Sequence, residues 1–553
     1  MKKIFFCYAV GTLSFLLLVF SPVVFDSHQL RYDDPQVVAP MEQVHSLRDY
    51  LSLKEKNEIY DVQPVRDFSY FLNSHHSGNL VIWFSVALLF FASLIILQIP
   101  IVWSVLLGLV FTFNPLFVSS IAWLTARKHL LSFSFTLGLT LVLLMEIRKG
   151  NELKIKFGIA VAIVSLYLLA LFSHPINIMW PLFALILIYT NGVKIKIRHI
   201  PNLIAIVGLG LSGLFAAYCN NAYYSGQYLQ TASTARYVSD QFNTVFWKIW
   251  IIGRMIFQIL CPIQTGAGDH YPYSYYSVFG LVFLVIGIAS LWLFKIPQRW
   301  TWIAGAFLAV FPVSYRLTNG FLFDNYLLFS SFCIFILIAL ALKKYDLRLS
   351  SKGRTIGVSF GIFLAGLFAT RSYFLAKAWN NDFALWEMAF EVEPSAKTAI
   401  EYAGMLLEQN RPLSAFEVAK TADKFVKGSY RNSNSVLSKV IYLNPSFNNI
   451  QKLEMLSKSP NEWSLYYEAA VLASEGKNDE ACERMSRAKE YRQNLETFDD
   501  AIELMAAESL YFCQKSPAVG ADILRDFKDV RGNGKWNEAL FQKRAKELGV
   551  LNN

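Results

Sequence analysis

Between positions 4 and about 375 the chain is a succession of apolar runs, most of them long enough to cross a bilayer and separated by polar loops. No other feature limits the fold so strongly. In hydrocarbon every backbone N–H and C=O needs a partner inside the protein, and a run of this length finds one by forming an α-helix. The runs fall at roughly 4–25, 80–97, 101–117, 130–147, 157–173, 176–190, 201–218, 276–294, 300–314, 326–342 and 355–375. They predict an all-α chain whose polytopic membrane domain has about eleven crossings. Beyond that point the sequence turns charged and polar. The division is therefore a membrane domain over 1–375, with a first loop at 26–79, and a soluble tail over 376–553. Only 17% of residues are charged, against roughly 25% in soluble globular proteins.

The net charge of +10 by itself raises the question of nucleic acid. The positions of the basic residues answer it. Lys2, Lys3, Arg148, Lys149, Lys154, Lys156, Lys194, Lys196, Arg198, Lys295, Arg299, Lys343, Lys344, Arg348, Lys352 and Arg354 fall in alternate loops. The positive-inside rule makes that side cytoplasmic, so the excess charge reads as topology and no nucleic-acid partner is expected. The first run exceeds a signal-peptide core and lacks a small-x-small cleavage site, which predicts a retained anchor. The N-terminus is then inside, and the first loop and tail are outside. The stretch 241–264 carries Lys248 and Arg254 among apolar residues and reads as an interfacial or re-entrant helix on the outer side.

Of six cysteines, Cys7 and Cys333 lie in spans, Cys219 and Cys261 near the outer face, and Cys482 and Cys513 in the tail. No CxxC occurs, so the spacing supports no metal or redox site. An exported tail permits a Cys482–Cys513 disulfide; two buried thiols on neighbouring helices fit equally well. In the tail, Ala469, the turn glycine Gly476, Ala481 and Ala488 take the small-residue and turn positions of a tetratricopeptide repeat. An earlier copy fits from Tyr402 to Ala422, with Ala415 and Ala422 in the small positions, and a weaker one spans 505–528. Such repeats hold a peptide or partner in a concave groove, or simply pack on the membrane domain.

Polar residues collect on the predicted outer side. Asp33 and Asp34 follow the first span. Arg127 and Lys128 stand at the outer end of another span, against the charge bias. Basic side chains can snorkel at either interface, but two together suit an anionic ligand such as a lipid-linked phosphate. His174 precedes Pro175; Asp269, His270 and Tyr271 share a short loop; Arg316 and Asp324 share another. Together they outline a polar, outward-facing cavity over an apolar body.

Several segments carry a resemblance. YDDP at 32–35 is similar to an acidic pair in a first outer loop, and DVQPVRDFSYFLN at 61–73 to the signature that follows it. NPLFVSSIAWLTARKHLLS at 114–132, HPINIMWP at 174–181 and FDNYLLFS at 323–330 are similar to three later motifs. The chain resembles the GT-C class of polytopic glycosyltransferases that use polyprenyl-phosphate sugars, and within it the members bearing tetratricopeptide repeats, related to the transmembrane O-mannosyltransferases. Trp123, Arg127, Lys128, Asp324 and Tyr326 match the motifs; Asn114, Phe117, Ser119, His129, His174 and Asn325 depart from them.

The resemblance implies transfer of a sugar from a polyprenyl-phosphate donor to an exported acceptor, such as a protein Ser or Thr. Asp33 is implied as the base and Asp34 as its partner, or both as ligands of Mg²⁺ or Mn²⁺. Arg127, Lys128 and His174 are implied to bind the donor phosphate. Arg31, Asp269, His270, Tyr271 and Asp324 are implied to contact substrate. The implied setting is a bacterial cytoplasmic membrane with the repeat domain periplasmic or extracellular. Two readings stay open beside this one. Asp33–Asp34–Pro35 also suits a capping turn. The departures also suit a catalytically inactive membrane-anchored scaffold whose repeats are the working part.

Overall fold

The computed structural model describes residues 2–24, scattered positions within 38–50, and 63–149, 157–192, 245–262, 275–293 and 295–310. It further describes 324–346, 350–392, 396–425, 431–458, 462–488, 507–530 and 538–550, apart from isolated positions. All regular structure among them is helical. The chain forms two compact units, Met1–Met388 and Ala389–Asn553. The first therefore runs past the expected boundary at 375, because Trp379 and Leu385 pack into its core.

The first unit contains α1 (Lys2–Val19), α2 (Pro64–Leu72), α3 (His76–Ile96), α4 (Ile101–Thr112), α5 (Arg127–Arg148) and α6 (Phe157–Ser173). It continues with α7 (Trp180–Thr190), α8 (Val245–Leu260), α9 (Tyr275–Leu293), α10 (Arg299–Val310), α11 (Leu328–Asp346) and α12 (Ser351–Ala378). Five described helices are long and apolar enough to cross a membrane: Lys2–Val19, His76–Ile96, Leu124–Arg148, Asp324–Asp346 and Ser351–Ala378. The expected run 201–218 lies outside the described residues.

The run 101–117 is not one straight helix. It breaks after Thr112 and resumes as Pro115–Ala122 at an angle of 43°. The cause is local. A residue before proline avoids the α region, and the Asn114 side chain accepts a hydrogen bond from the Leu116 amide at 2.9 Å. His174–Pro175 repeats the device: the His174 Nδ1 accepts from the Ile176 amide at 3.2 Å.

One end of this unit gathers the cations. Arg148 donates to the Ile96 carbonyl at 2.9 Å and Lys343 to that of Leu97 at 2.8 Å. Lys344 donates to the Lys295 carbonyl at 3.0 Å, and Arg354 pairs with Asp346 at 2.9 Å. Basic side chains here satisfy the last carbonyls of helices, where the helix dipole is negative. The opposite end gathers Asn79, Asn114, His174 and Asp324. Between the two ends lies an aromatic core. Phe90 stacks on Phe111 at 4.1 Å and Trp83 lies 4.7 Å from Phe117.

For the helix α8 the sequence left two readings, interfacial or re-entrant. An interfacial helix would keep Arg254 among headgroups. Here Arg254 is wholly buried, as are Gln258 and Ile259. The helix crosses α9 so closely that a Cβ on Gly253 would overlap the Ser277 carbonyl.

Helix α13 (Asp382–Val392) runs across the boundary between the units, and the second unit continues with α14 (Ala396–Glu408) and α15 (Pro412–Phe425), then α16 (Arg431–Leu443) and α17 (Asn449–Ser457). It closes with α18 (Glu462–Ser474), α19 (Asn478–Ala488), α20 (Pro517–Val530) and α21 (Glu538–Glu547). α14 and α15 form one antiparallel hairpin, α18 and α19 another. Gly476 makes the second turn with φ +76°, a left-handed conformation that costs glycine nothing. Ala403, Ala415, Ala469, Ala481 and Ala488 are fully buried where the helices meet. Cys482 and Cys513 are joined in a disulfide with Cα atoms 5.0 Å apart, which decides the alternative the sequence left open.

Candidate functional site

The end of the first unit opposite the cations holds two groups of buried polar side chains. The first surrounds Arg127, the initial residue of α5. Its Nε donates to Asn79 Oδ1 at 2.6 Å and its Nη2 to the His75 carbonyl at 2.7 Å. Its Nη1 donates to the Ser69 carbonyl at 3.2 Å and to the Asn73 carbonyl. The guanidinium also lies 4.5 Å from the centre of the Tyr70 ring. Asn79 donates in turn to the carbonyls of Ile121 and Trp123, both at 3.1 Å. Arg127 is thus a clamp that fastens α2 and the turn before α3 onto the start of α5, and only 1% of it is exposed. The guanidinium is engaged on four protein oxygens. Lys128, one residue on, is partly exposed.

The second group lies where α8, α5, the turn after α4, the turn after α6 and the start of α11 converge. Gln258 donates to Asp324 Oδ1 at 3.1 Å, and Asn114 donates to the Ile259 carbonyl at 3.2 Å. Arg254 stands one helical turn before Gln258, on the same side of α8. The rings of His129 and His174 lie 4.3 Å apart, with Tyr326 at 5.3 Å from His129. Ser132 donates to the His174 carbonyl at 2.9 Å and accepts from Asn177 at 3.1 Å. Arg254, His129, His174, Asn177 and Asp324 are all buried. A carboxylate, an amide, a guanidinium and two imidazoles in so apolar a unit are costly unless they serve one another or a ligand.

The structure thus brings His174 and Asp324 into one cluster and leaves Arg127 in another. Arg31, Asp33, Asp34, Asp269, His270 and Tyr271 lie outside the described residues. Among the described residues no group of three or more His, Cys, Asp or Glu is arranged to hold a metal ion. Asp33 and Asp34, the residues expected to hold Mg²⁺ or Mn²⁺, lie outside those residues. Gln258 and His129 were not expected as site residues, nor was Arg254. The only signal for Arg254 was a cation in an otherwise apolar stretch, which periodicity reads as surface.

An open apolar groove of about 360 Å³ lies against another face of α8, where Met255, Ile256 and Leu260 line it. It is lined by α8, α9, α10 and α11, from Leu260 past Phe283 and Ile334 to Ile296 and Tyr345. Tyr345 follows Lys344, so the groove ends beside the basic end. No protein-family model, curated protein or solved structure matches the chain.

Proposed function

We propose that the protein is a membrane glycosyltransferase that moves a sugar from a polyprenyl-phosphate carrier to an exported acceptor. The observation that carries this reading is the buried polar cluster, with Gln258 on Asp324 and His129 beside His174, at the end of an apolar unit away from the cations. A lipid chain suits the groove and a polar headgroup suits the cluster. In the proposed step a carboxylate, Asp33 with Asp34 as its partner, takes the proton of an acceptor hydroxyl. The oxygen attacks the anomeric carbon, the bond from that carbon to the phosphate oxygen breaks, and polyprenyl phosphate leaves with the electron pair. Lys128 and Arg254 are the cations assigned to the departing phosphate, in place of Arg127. Asp324, held by Gln258, orients the sugar. In this reading the unit has the eleven crossings expected from the apolar runs, and the helical hairpins of the tail are tetratricopeptide-like and hold the acceptor.

The test compares intact masses of exported proteins from wild-type cells, cells lacking the chain, and cells carrying Asp33→Asn with Asp34→Asn. Hexose-sized increments lost in both altered strains support transfer. Increments unchanged in both remove protein glycosylation. One observation favours a second reading, a scaffold without chemistry: Arg127, which matches the donor-binding motif, is committed to internal carbonyls. Increments lost in the deletion but kept in the double variant would fit that scaffold.

A further inference from the structure

We propose that α2 (Pro64–Leu72) is an interfacial anchor that lies on the membrane with Phe68, Phe71 and Leu72 immersed among lipids. The inference does not depend on the transferase reading. The helix is amphipathic in the reverse of the usual sense. Its charged residues face inward: the Arg66 and Asp67 side chains pair at 2.7 Å and are 0% and 1% exposed. Its large apolar residues face outward: Phe68 is 61% exposed, Phe71 50% and Leu72 69%. Spacings of three and four residues place these three on one face of a helix. In water that arrangement would be wrong on both faces at once. Beside a bilayer it is the favourable one.

The helix cannot simply roll over. Tyr70 donates to the Leu124 carbonyl at 2.6 Å, and Arg127 holds the Ser69 carbonyl at 3.2 Å. Tyr50 donates to Asp67 Oδ2 at 2.9 Å, and the Gln63 amide donates to the same oxygen at 3.0 Å. Tyr70 also packs with Val38, Met41, Val44 and Leu124. The fold has therefore fixed the aromatic face outward with four contacts to other segments, Gln63 being the helix's own N-cap.

What covers that face is indicated by its neighbour. The helix packs against α6, which exposes Leu169 and Phe172 near its C-terminal end. Helix α6 is an apolar helix of the same unit, and its exposed apolar residues suit lipid. The stacked pair Phe68–Phe71, with ring centroids 6.3 Å apart, extends that surface sideways at the level where the helices end. Aromatic rings gather at that depth of a bilayer. A lipid surface, rather than a second protein, is the occupant continuous with what already borders it.

The test uses the full chain in lipid nanodiscs, with Cys7, Cys219, Cys261 and Cys333 replaced by alanine and the Cys482–Cys513 disulfide kept. A nitroxide is attached at Phe68→Cys or at Phe71→Cys, and at Glu454→Cys, which is exposed in the tail, as the aqueous reference. Collisions with lipid-soluble oxygen and with a water-soluble nickel chelate are then compared. Oxygen should dominate at 68 and 71 and nickel at 454. Nickel dominating at 68 and 71 would overturn the proposal by placing the face in water. Shielding from both reagents would overturn it by placing the face against protein. Should one phenylalanine variant aggregate, a label at Leu72→Cys gives the same reading.

Discussion

Replacing Arg127 by methionine separates a structural clamp from a phosphate ligand. The clamp reading predicts a destabilised but specific loss. Four acceptors lose their donor: Asn79 Oδ1 and the carbonyls of Ser69, Asn73 and His75. Each charge-assisted bond is worth about 1.5–3 kcal/mol. The gross loss is offset by removing the desolvation penalty of a buried guanidinium, which leaves a net cost of about 3–5 kcal/mol. Spread over the unit Met1–Met388, at about 2.1 cal/mol/K per residue, that is a drop of about 4–6 °C in Tm. Arg127→Lys should fall almost as far, because a single ammonium cannot reach acceptors on α2, in the turn after it and on α3 together. The assay is thermal unfolding of the purified chain in nanodiscs. A Tm unchanged in both variants, with lost product, would refute the clamp and return Arg127 to the donor phosphate.

A Cβ on Gly78 would stand 2.8 Å from Arg127 Nη2, so Gly78→Ala should lower the same Tm by displacing the guanidinium, and combining it with Arg127→Met should add little. Opening the Cys482–Cys513 disulfide, which closes a loop of 31 residues, should cost about 3.5–4 kcal/mol on the loop-entropy account. Hydrogen exchange in Glu462–Ser474 of Cys482→Ser with Cys513→Ser reads that loss. Glu468 supplies a pH test. Burial, the largest cause, lifts its carboxyl above the usual range, while Arg484 and Arg487 pull it down. A folded value above the unfolded one means that its contribution is present at acid pH and is lost as pH rises through the folded value. The exchange protection of wild type relative to Glu468→Gln should therefore decline as pH rises above about 4; a ratio that rises would contradict the burial. Asp324→Asn keeps the shape of the Gln258 contact, and should cut product formation without moving Tm.

Much of the architecture was written in the apolar periodicity. The expected runs at 80–97, 130–147, 157–173, 276–294 and 355–375 each coincide with a helix, because a bilayer-length apolar segment has no other way to satisfy its backbone. The sorting of basic residues was legible too: Arg148, Lys343, Lys344 and Arg354 do share one end. So was the hairpin at Gly476, since only a turn explains a glycine between two such patterned helices. The candidate site was legible only in fragments. His174 and Asp324 were named, and the structure puts them in one cluster.

Whether a cation or an aromatic ring faces inward was for the tertiary structure to decide. Arg127 turns to carbonyls that lie 52 to 58 positions earlier in the chain, and nothing local to Arg127 foretells them. Arg254 reads as a surface residue until α8 is packed beside Asp324. Helix α2 carries its charges inside because Tyr50, Gln63 and Leu124 meet it there. Periodicity records where apolar side chains recur along one helix, whereas the solvent of each face is set by neighbours distant in sequence. The sequence by itself therefore determined which segments are helices and which end is basic, and packing alone determined which polar groups turn inward and what they meet there.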